Sequence, residues 1–398
     1  MKITRIETAH NSGNGLLYCR VYTDEGIVGC GETWYIPGAV EAIIHDWMSP
    51  RLLGADPFET EAHWRFLYER AANFGARGAE LRALSTIDLA LWDIKGRALG
   101  IPIWQLLGGK CQNGVRTYHS IGYGDRSPSD TSPRWPGYGK IGEKNPLNDY
   151  WKAIHEPAAF AREILEEGIE AVKLWSLDFA AHKENGNIHI SNADIDKGLA
   201  PFFAIREAVG NKLDLILDGH GFFQLPVALR IADAIRDAKP LALEDCIRPD
   251  CIDTIRDFRE LGRVPIAVSE MLIGTEDYRL ALEKRAADYI MIDPTWVGGI
   301  SQTVKLTDLA QAYNIPVMMH DCTGPLTLMA GIQVGIARGN VAWQETTRKN
   351  LRQIYPAMLT APIEVANGRC TIPTGPGLGT AWDEKIFATA THTRNTTL

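Results

Sequence analysis

Eight short apolar runs, each closing on or near a polar residue, constrain the fold of this 398-residue chain more than any other feature. They are RTYHSI (116 to 121), EAVKLW (170 to 175), LDLILD (213 to 218), LALED (241 to 245), PIAVSE (265 to 270), YIMID (289 to 293), PVMMH (316 to 320) and VAWQE (341 to 345). Runs that are apolar on both faces suit a parallel sheet covered by helices. Stretches such as PVALRIADAIRDA and SQTVKLTDLAQAYN between them carry helical periodicity. Eight such units predict a TIM-type barrel.

The flanks read differently. KITRIETAH and LLYCRVYTDEGIVGCGETW alternate as strands, with Asp24-Glu25-Gly26 as the turn between two of them. From Val40 to Leu107 the period becomes helical, ending at Gly100 and Pro102. Residues 1 to about 115 therefore form an α+β domain, and 116 to 361 the barrel. The Gly- and Pro-rich tail from about Pro362, 362 to 398, is expected to leave the barrel and pack back on the first domain.

Composition removes several function classes. A net charge of -8 argues against a protein built to grip nucleic acid or an anionic membrane. Seven scattered cysteines without a CxxC pair read as reduced thiols. The N-terminus carries no signal-peptide pattern, and no apolar run reaches the roughly 18 to 20 residues of a membrane span, so the expected location is the cytoplasm. No GxGxxG follows a strand, and LLGGKC lacks the rest of a phosphate-binding loop.

Chemistry gathers at the strand ends. Asp218, Glu244, Glu270, Asp293, His320 and Glu345 follow one another at intervals of 26, 26, 23, 27 and 25 residues, the length of one strand, one helix and two loops. In a barrel, residues at the C-terminal strand ends converge on one mouth. Asp218, Glu244 and Glu270 would repel one another there unless a cation sat among them, and hard oxygen ligands suit Mg²⁺. A carboxylate such as Asp293, held against one nitrogen of His320, would make the other nitrogen a competent base. Alone, such a histidine is as often a paired core residue. His220, two residues past Asp218, points to the same side of an extended strand. It is either an acid on the far side of the substrate or a capping or outer-shell histidine.

The ordered motifs LDGH, LEDC, VSE, IDPTWVGG, MHDCTGP and WQET resemble the mandelate racemase subgroup of the enolase superfamily over nearly the whole chain. The resemblance implies an α/β fold, a modified (β/α)₇β barrel with an α+β capping domain. It further implies Mg²⁺ on Asp218, Glu244 and Glu270, a base dyad of His320 and Asp293, Glu345 bonded to the substrate carboxylate, and an enediolate intermediate. By analogy with the family, a homo-oligomer is expected.

One motif departs. Racemases of the subgroup carry KxK on the second strand, where this chain has Lys173-Leu174-Trp175. Trp175 cannot exchange a proton, which disfavours a two-base racemisation. DxH on the third strand without KxK is similar to sugar-acid dehydratases of the galactonate and mannonate type. Lys173 is left with two roles, offsetting charge and binding substrate near the metal or pairing with a barrel carboxylate.

The leading expectation is a hydro-lyase acting on a small sugar acid, with an epimerase, racemase or cycloisomerase using the same enediolate as the alternative. A lysine Schiff-base aldolase on Lys173 would not need the three acids, and a non-catalytic descendant would not need the dyad. Specificity is expected from 10 to 17, Trp34, Tyr35 and the 122 to 150 loop, with Trp175 and Trp296 as further walls or as core.

Overall fold

The computed structural model describes residues 1–13, 15–121 and 141–398. The alternating N-terminal segment forms three antiparallel strands, β1 (Ile3–His10), β2 (Leu16–Thr23) and β3 (Val28–Trp34). The β2–β3 turn closes with Gly26 at φ +77°, a conformation that glycine adopts without penalty. The long Ala79–Leu99 helix lies on this sheet so closely that a Cβ on Gly31 would stand 2.1 Å from the carbonyl oxygen of Thr86. Gly100, at φ +70°, ends that helix.

The eight runs form β4 (Val115–Ile121), β5 (Ala171–Leu174), β6 (Asp214–Asp218), β7 (Ala242–Glu244), β8 (Ile266–Val268), β9 (Tyr289–Ile292), β10 (Val317–Met319) and β11 (Val341–Thr346). Each pairs in parallel with the next, and β11 returns to pair with β4, Glu345 opposite Tyr118, which closes a barrel. Helices fill the seven crossings, ending with Pro325–Ala337 between β10 and β11. That last helix is buried at every residue because β3 of the N-terminal sheet packs against it as well as β4 and β11.

One side chain from each strand plugs the barrel: Tyr118, Ala171, Ile216, Ala242, Ala267, Met291, Met318 and Trp343 pack into a single apolar cluster. Tertiary apolar burial of this kind is what fixes strand register, since a one-residue slip would turn every plug residue outward.

The tail divides between the two domains. β12 (Val365–Ala366) and β13 (Arg369–Cys370) form a hairpin that stays on the barrel, β13 running antiparallel to β4. Only afterwards does the chain return to the N-terminal domain: Trp382 donates to the Gly31 carbonyl at 3.2 Å, and β14 (His392–Thr397) pairs with β1. The chain therefore stays with the barrel past Pro362, because Arg369 and Cys370 pair with Arg116 and Val115 at the start of β4. Among the described residues, no helix is long and apolar enough to cross a membrane.

Candidate active site

Side chains two apart on a strand share a face. Counting two residues on from each plug residue gives Ser120, Lys173, Asp218, Glu244, Ser269, Asp293, His320 and Glu345, a polar layer directly above the apolar one. Six of these eight, Lys173, Asp218, Glu244, Asp293, His320 and Glu345, are residues the sequence pointed to, and Ser120 and Ser269 are not. Glu270 is the exception, three residues past Ala267 rather than two. Ser269 takes the inward position and donates to Asp245, and Glu270 reaches the mouth from just beyond the end of β8.

Lys173 organises one side of the mouth. It is 1% exposed, and its Nζ lies 3.1 Å from Asp218 Oδ2, 3.0 Å from Glu345 Oε1 and in contact with Glu244 Oε1. Burial works against the ammonium, but Asp218, Glu244 and Glu345 hold its pKa well above the ordinary lysine value. Of its two expected roles the structure displays carboxylate pairing, with three partners. The same crowd of acids raises Glu244, through burial first and then the charge of Asp218, with Lys173 opposing. Tyr118 donates to Glu345 Oε2 at 3.1 Å.

His320 occupies the other side. Its Nδ1 is 2.8 Å from Asp293 Oδ2, and its Nε2 faces Glu345 Oε2 at 3.9 Å and Glu270 Oε1 at 4.0 Å. Burial lowers its basicity, yet Cys322, Glu270, Glu345 and Asp293 together raise its pKa well above the ordinary value. Asp293 is itself held by Thr295 N and Oγ1, each at 2.8 Å, and by Thr323 Oγ1 at 2.8 Å.

His220 repeats the arrangement across the mouth. Its backbone takes a left-handed φ of +48°, its N–H donates to Asp218 Oδ1 at 2.9 Å, and its Nε2 lies 3.4 Å from Asp218 Oδ2. Asp178, a buried residue just after β5, sits 3.2 Å from Nδ1. Burial opposes the imidazolium, but Asp218 and Asp178 bring its pKa up to about 9. Trp175 meets the His220 ring edge-on, with centroids 4.4 Å apart. The eight expected site residues therefore form one connected group: Lys173 touches Asp218, Glu244 and Glu345, His320 faces Glu345, Glu270 and Asp293, and His220 joins Asp218.

Sequence reasoning missed Asp178 and Asp245, both buried acids at the mouth. Asp178 opens the short helix Asp178–Ala181, away from the strand ends that the periodicity marks. Asp245 was legible only as the second acid of LEDC, and burial raises its carboxyl, with Glu270 adding to the shift.

Of the expected walls, Trp34 stacks on Tyr35 at 4.7 Å, Tyr35 meets Trp296 at 5.7 Å, and Trp296 stands 5.2 Å from the His320 ring. Arg82 places its guanidinium 4.1 Å over the Trp296 ring and donates to the Trp34 carbonyl at 2.9 Å, which ties that aromatic file to the N-terminal domain. His10 instead stacks on His392 at 4.7 Å, on the β1–β14 edge. Asn14 and residues 122–140 of the expected walls lie outside the described residues.

No three carboxylate, imidazole or thiol groups among the described residues stand close enough to form a ready-made cation cage. The donor chemistry nonetheless fits a hard cation. Glu244 Oε2 and Glu270 Oε2 are buried without a hydrogen-bond partner, and a buried carboxylate oxygen in that state is costly unless a charge or donor meets it.

The chain resembles known proteins along most of its length. Residues 4–108 match the family described as mandelate racemase / muconate lactonizing enzyme, N-terminal domain, and 156–386 match the enolase C-terminal domain-like family. The chain belongs to the enolase superfamily, in its mandelate racemase subgroup. Among curated relatives it is 32% identical to a D-xylonate dehydratase of Haloferax volcanii, over 96% of this chain and 87% of that protein. It is 29% identical to a D-galactonate dehydratase of Ralstonia pickettii, over 97% of this chain and 93% of that one. A solved mandelate racemase subgroup enolase from Agrobacterium tumefaciens superposes with a TM-score of 0.87 at 34% identity, covering 100% of this chain and 99% of its own. This enolase superfamily member is an enzyme of the hydro-lyase kind.

Proposed function

We propose that the chain is a Mg²⁺-dependent dehydratase that converts an aldonic or aldaric acid into its 2-keto-3-deoxy acid. One observation carries the reading: two histidines face the same acid-lined mouth, each with Nδ1 against its own carboxylate and Nε2 turned toward a proposed cation ligand. That is one base and one acid, with Trp175 where a two-base racemase of the subgroup would need a second lysine. The curated relatives, named for D-xylonate and D-galactonate, support an acid sugar as substrate.

Asp218, Glu244 and Glu270 would hold the cation. A bound Mg²⁺ supplies positive charge where the substrate carboxylate gains a second negative charge, and offsets the charge of Glu270 on His320. The rest falls to the chain's own side chains. His320 Nε2 takes the C2 proton, with Asp293 fixing the tautomer and steadying the imidazolium. The electron pair of the C–H bond moves into the carboxyl group as an enediolate. Glu345 bonds that end of the substrate through one proton taken up from solvent as the substrate binds, since burial alone would raise its carboxyl but Lys173 and His320 hold it below the ordinary value. Lys173 stays charged and places its ammonium beside the same oxygens. His220 Nε2 gives a proton to the C3 hydroxyl, which leaves as water while the C2–C3 double bond forms. Ketonisation of that enol yields the product.

Incubation with a sugar-acid library and Mg²⁺ in D₂O tests the assignment. Wild-type enzyme is expected to release a 2-keto-3-deoxy acid. His220→Asn should still exchange the C2 proton but release no keto acid. His320→Asn should lose both reactions by about 10²- to 10⁴-fold. Deuterium accumulating in substrate or epimer with wild-type enzyme, and no keto acid from any sugar acid, would sink the dehydratase reading.

A further inference from the structure

Glu32 belongs to β3 of the N-terminal domain, yet its fully buried carboxyl reaches the barrel. Oε1 accepts from Thr327 N at 2.5 Å and contacts Thr327 Oγ1 at 2.7 Å. Thr327 Oγ1 is 3.1 Å from Thr295 Oγ1, Thr295 Oγ1 is 2.8 Å from Asp293 Oδ1, and Asp293 Oδ2 is 2.8 Å from His320 Nδ1. Three contacts thus link the N-terminal domain to the dyad, and a fourth joins its two members. The residue after Glu32 grips the same loop, Thr33 Oγ1 donating to the Thr295 carbonyl at 3.2 Å.

Counting hydrogens gives this line a direction. Each threonine hydroxyl has a single proton to donate. Asp293 receives four donors, from Thr295 N, Thr295 Oγ1, Thr323 Oγ1 and His320 Nδ1, and so acts as the acceptor. The Thr295 proton is therefore committed to Asp293. Were Glu32 ionised, the Thr327 proton would be committed to Glu32, and the 3.1 Å contact between the hydroxyls would bring two lone pairs together. With a proton on Glu32, every contact has one hydrogen: Glu32 to Thr327, Thr327 to Thr295, Thr295 to Asp293. Glu32 Oε2 points the same way, since it is buried with no partner, which a neutral carbonyl oxygen tolerates better than a charged one.

We propose that Glu32 is a positioning residue for the base. It donates into the Thr327–Thr295 pair so that Asp293 holds the His320 imidazole in place, and it does so from the N-terminal domain. The role rests on His320 being the base. It makes correct seating of one domain on the other a condition for a correctly aimed imidazole. Burial agrees with the hydrogen count, pushing the Glu32 carboxyl up to about 8 against the lowering effect of the Thr327 N–H, the Thr327 hydroxyl and the Leu326 N–H. The titratable groups facing it are Asp293, Asp321, Tyr18 and Tyr355, none of them cationic.

The test compares Glu32→Met, which keeps bulk but removes the donor, with Thr327→Val, an isosteric break in the middle of the line, and Thr327→Ser, which restores the hydroxyl. The readout is the His320 Nδ1 proton, observed by NMR in the substrate-free enzyme and assigned by its loss in His320→Asn. Glu32→Met and Thr327→Val are expected to move that resonance upfield and speed its exchange. They should also lower kcat toward D-galactonate about tenfold or more with little change in KM, as a displaced base does. Thr327→Ser should restore both. A resonance and kcat left at wild-type values by Glu32→Met and Thr327→Val overturn the proposal, as does a Thr327→Ser no better than Thr327→Val. The imidazole readout needs no substrate, so it decides on the relay even if D-galactonate is not turned over, and a failure of the dehydratase reading is recognised separately.

Discussion

Lys173 Nζ lies 3.1 Å from Asp218 Oδ2, and both side chains are buried. The ammonium is the charge that lets Asp218, Glu244 and Glu345 share the mouth of one barrel. Replacing it by methionine leaves buried carboxylates unmatched, and Lys173→Met is expected to cost about 3 to 5 kcal/mol of stability without divalent cation. Chemical denaturation with and without Mg²⁺ checks this, and the deficit should narrow when Mg²⁺ is present.

If Glu244 and Glu270 hold a cation, added Mg²⁺ stabilises the folded state. At a hundredfold excess over Kd the gain is about 2.7 kcal/mol, and thermal melting should show it. Glu244→Gln and Glu270→Gln should lose most of the response, whereas Asp293→Asn, outside the ligand set, should keep it. An equal response in all three variants would remove the assignment.

Asp88 gives a pH dependence away from the mouth. It lies in the Ala79–Leu99 helix and accepts from Ser301 N at 2.9 Å and Ser301 Oγ at 2.6 Å on the barrel helix Gly299–Ala312. Burial pushes its carboxyl from 3.8 up to about 7, against the lowering effect of those bonds, with Glu61 adding to the rise and Lys305 opposing it. The folded state therefore binds this proton more tightly than the unfolded state. The contribution is full below about pH 4 and is lost as pH rises toward about 7, by up to roughly 4 kcal/mol. Melting curves of wild type and Asp88→Asn should converge on the acid side. The variant should gain relative stability toward pH 8.

Gly324 is expected to tolerate no side chain, although its backbone is extended. A Cβ there would stand 2.7 Å from both carboxyl oxygens of Glu32. Gly324→Ala must therefore displace Glu32 or the loop that carries His320. We expect a loss of kcat of about tenfold or more, together with a lower melting temperature. Activity assays at fixed pH with parallel melting curves check both.

The barrel and the ring of strand-end residues were legible because a strand, a helix and two loops repeat at nearly constant length, and period two then aims one side chain per strand inward. Glu270 shows where that arithmetic ends. Its phase is one residue late, and Ser269 holds the inward place that counting would give to an acid. Asp178 and Glu32 were not legible because neither lies on a strand end of the barrel. A short helix after β5 brings Asp178 to His220, and a strand of the other domain brings Glu32 to Thr327. Contacts of that kind, between residues such as Glu32 and Thr327 almost three hundred positions apart, leave no periodic trace in the chain.

The apolar plug beneath the polar layer also has a kinetic meaning. Tyr118, Met291, Met318 and Trp343 fill the barrel directly beneath the polar layer, as side chains rather than a pore fill a barrel of eight strands. On the dehydratase reading, substrate would then arrive, and water and keto acid would leave, by the strand-end mouth that carries Lys173 and His320. Entry of the next molecule would then wait on exit of the last.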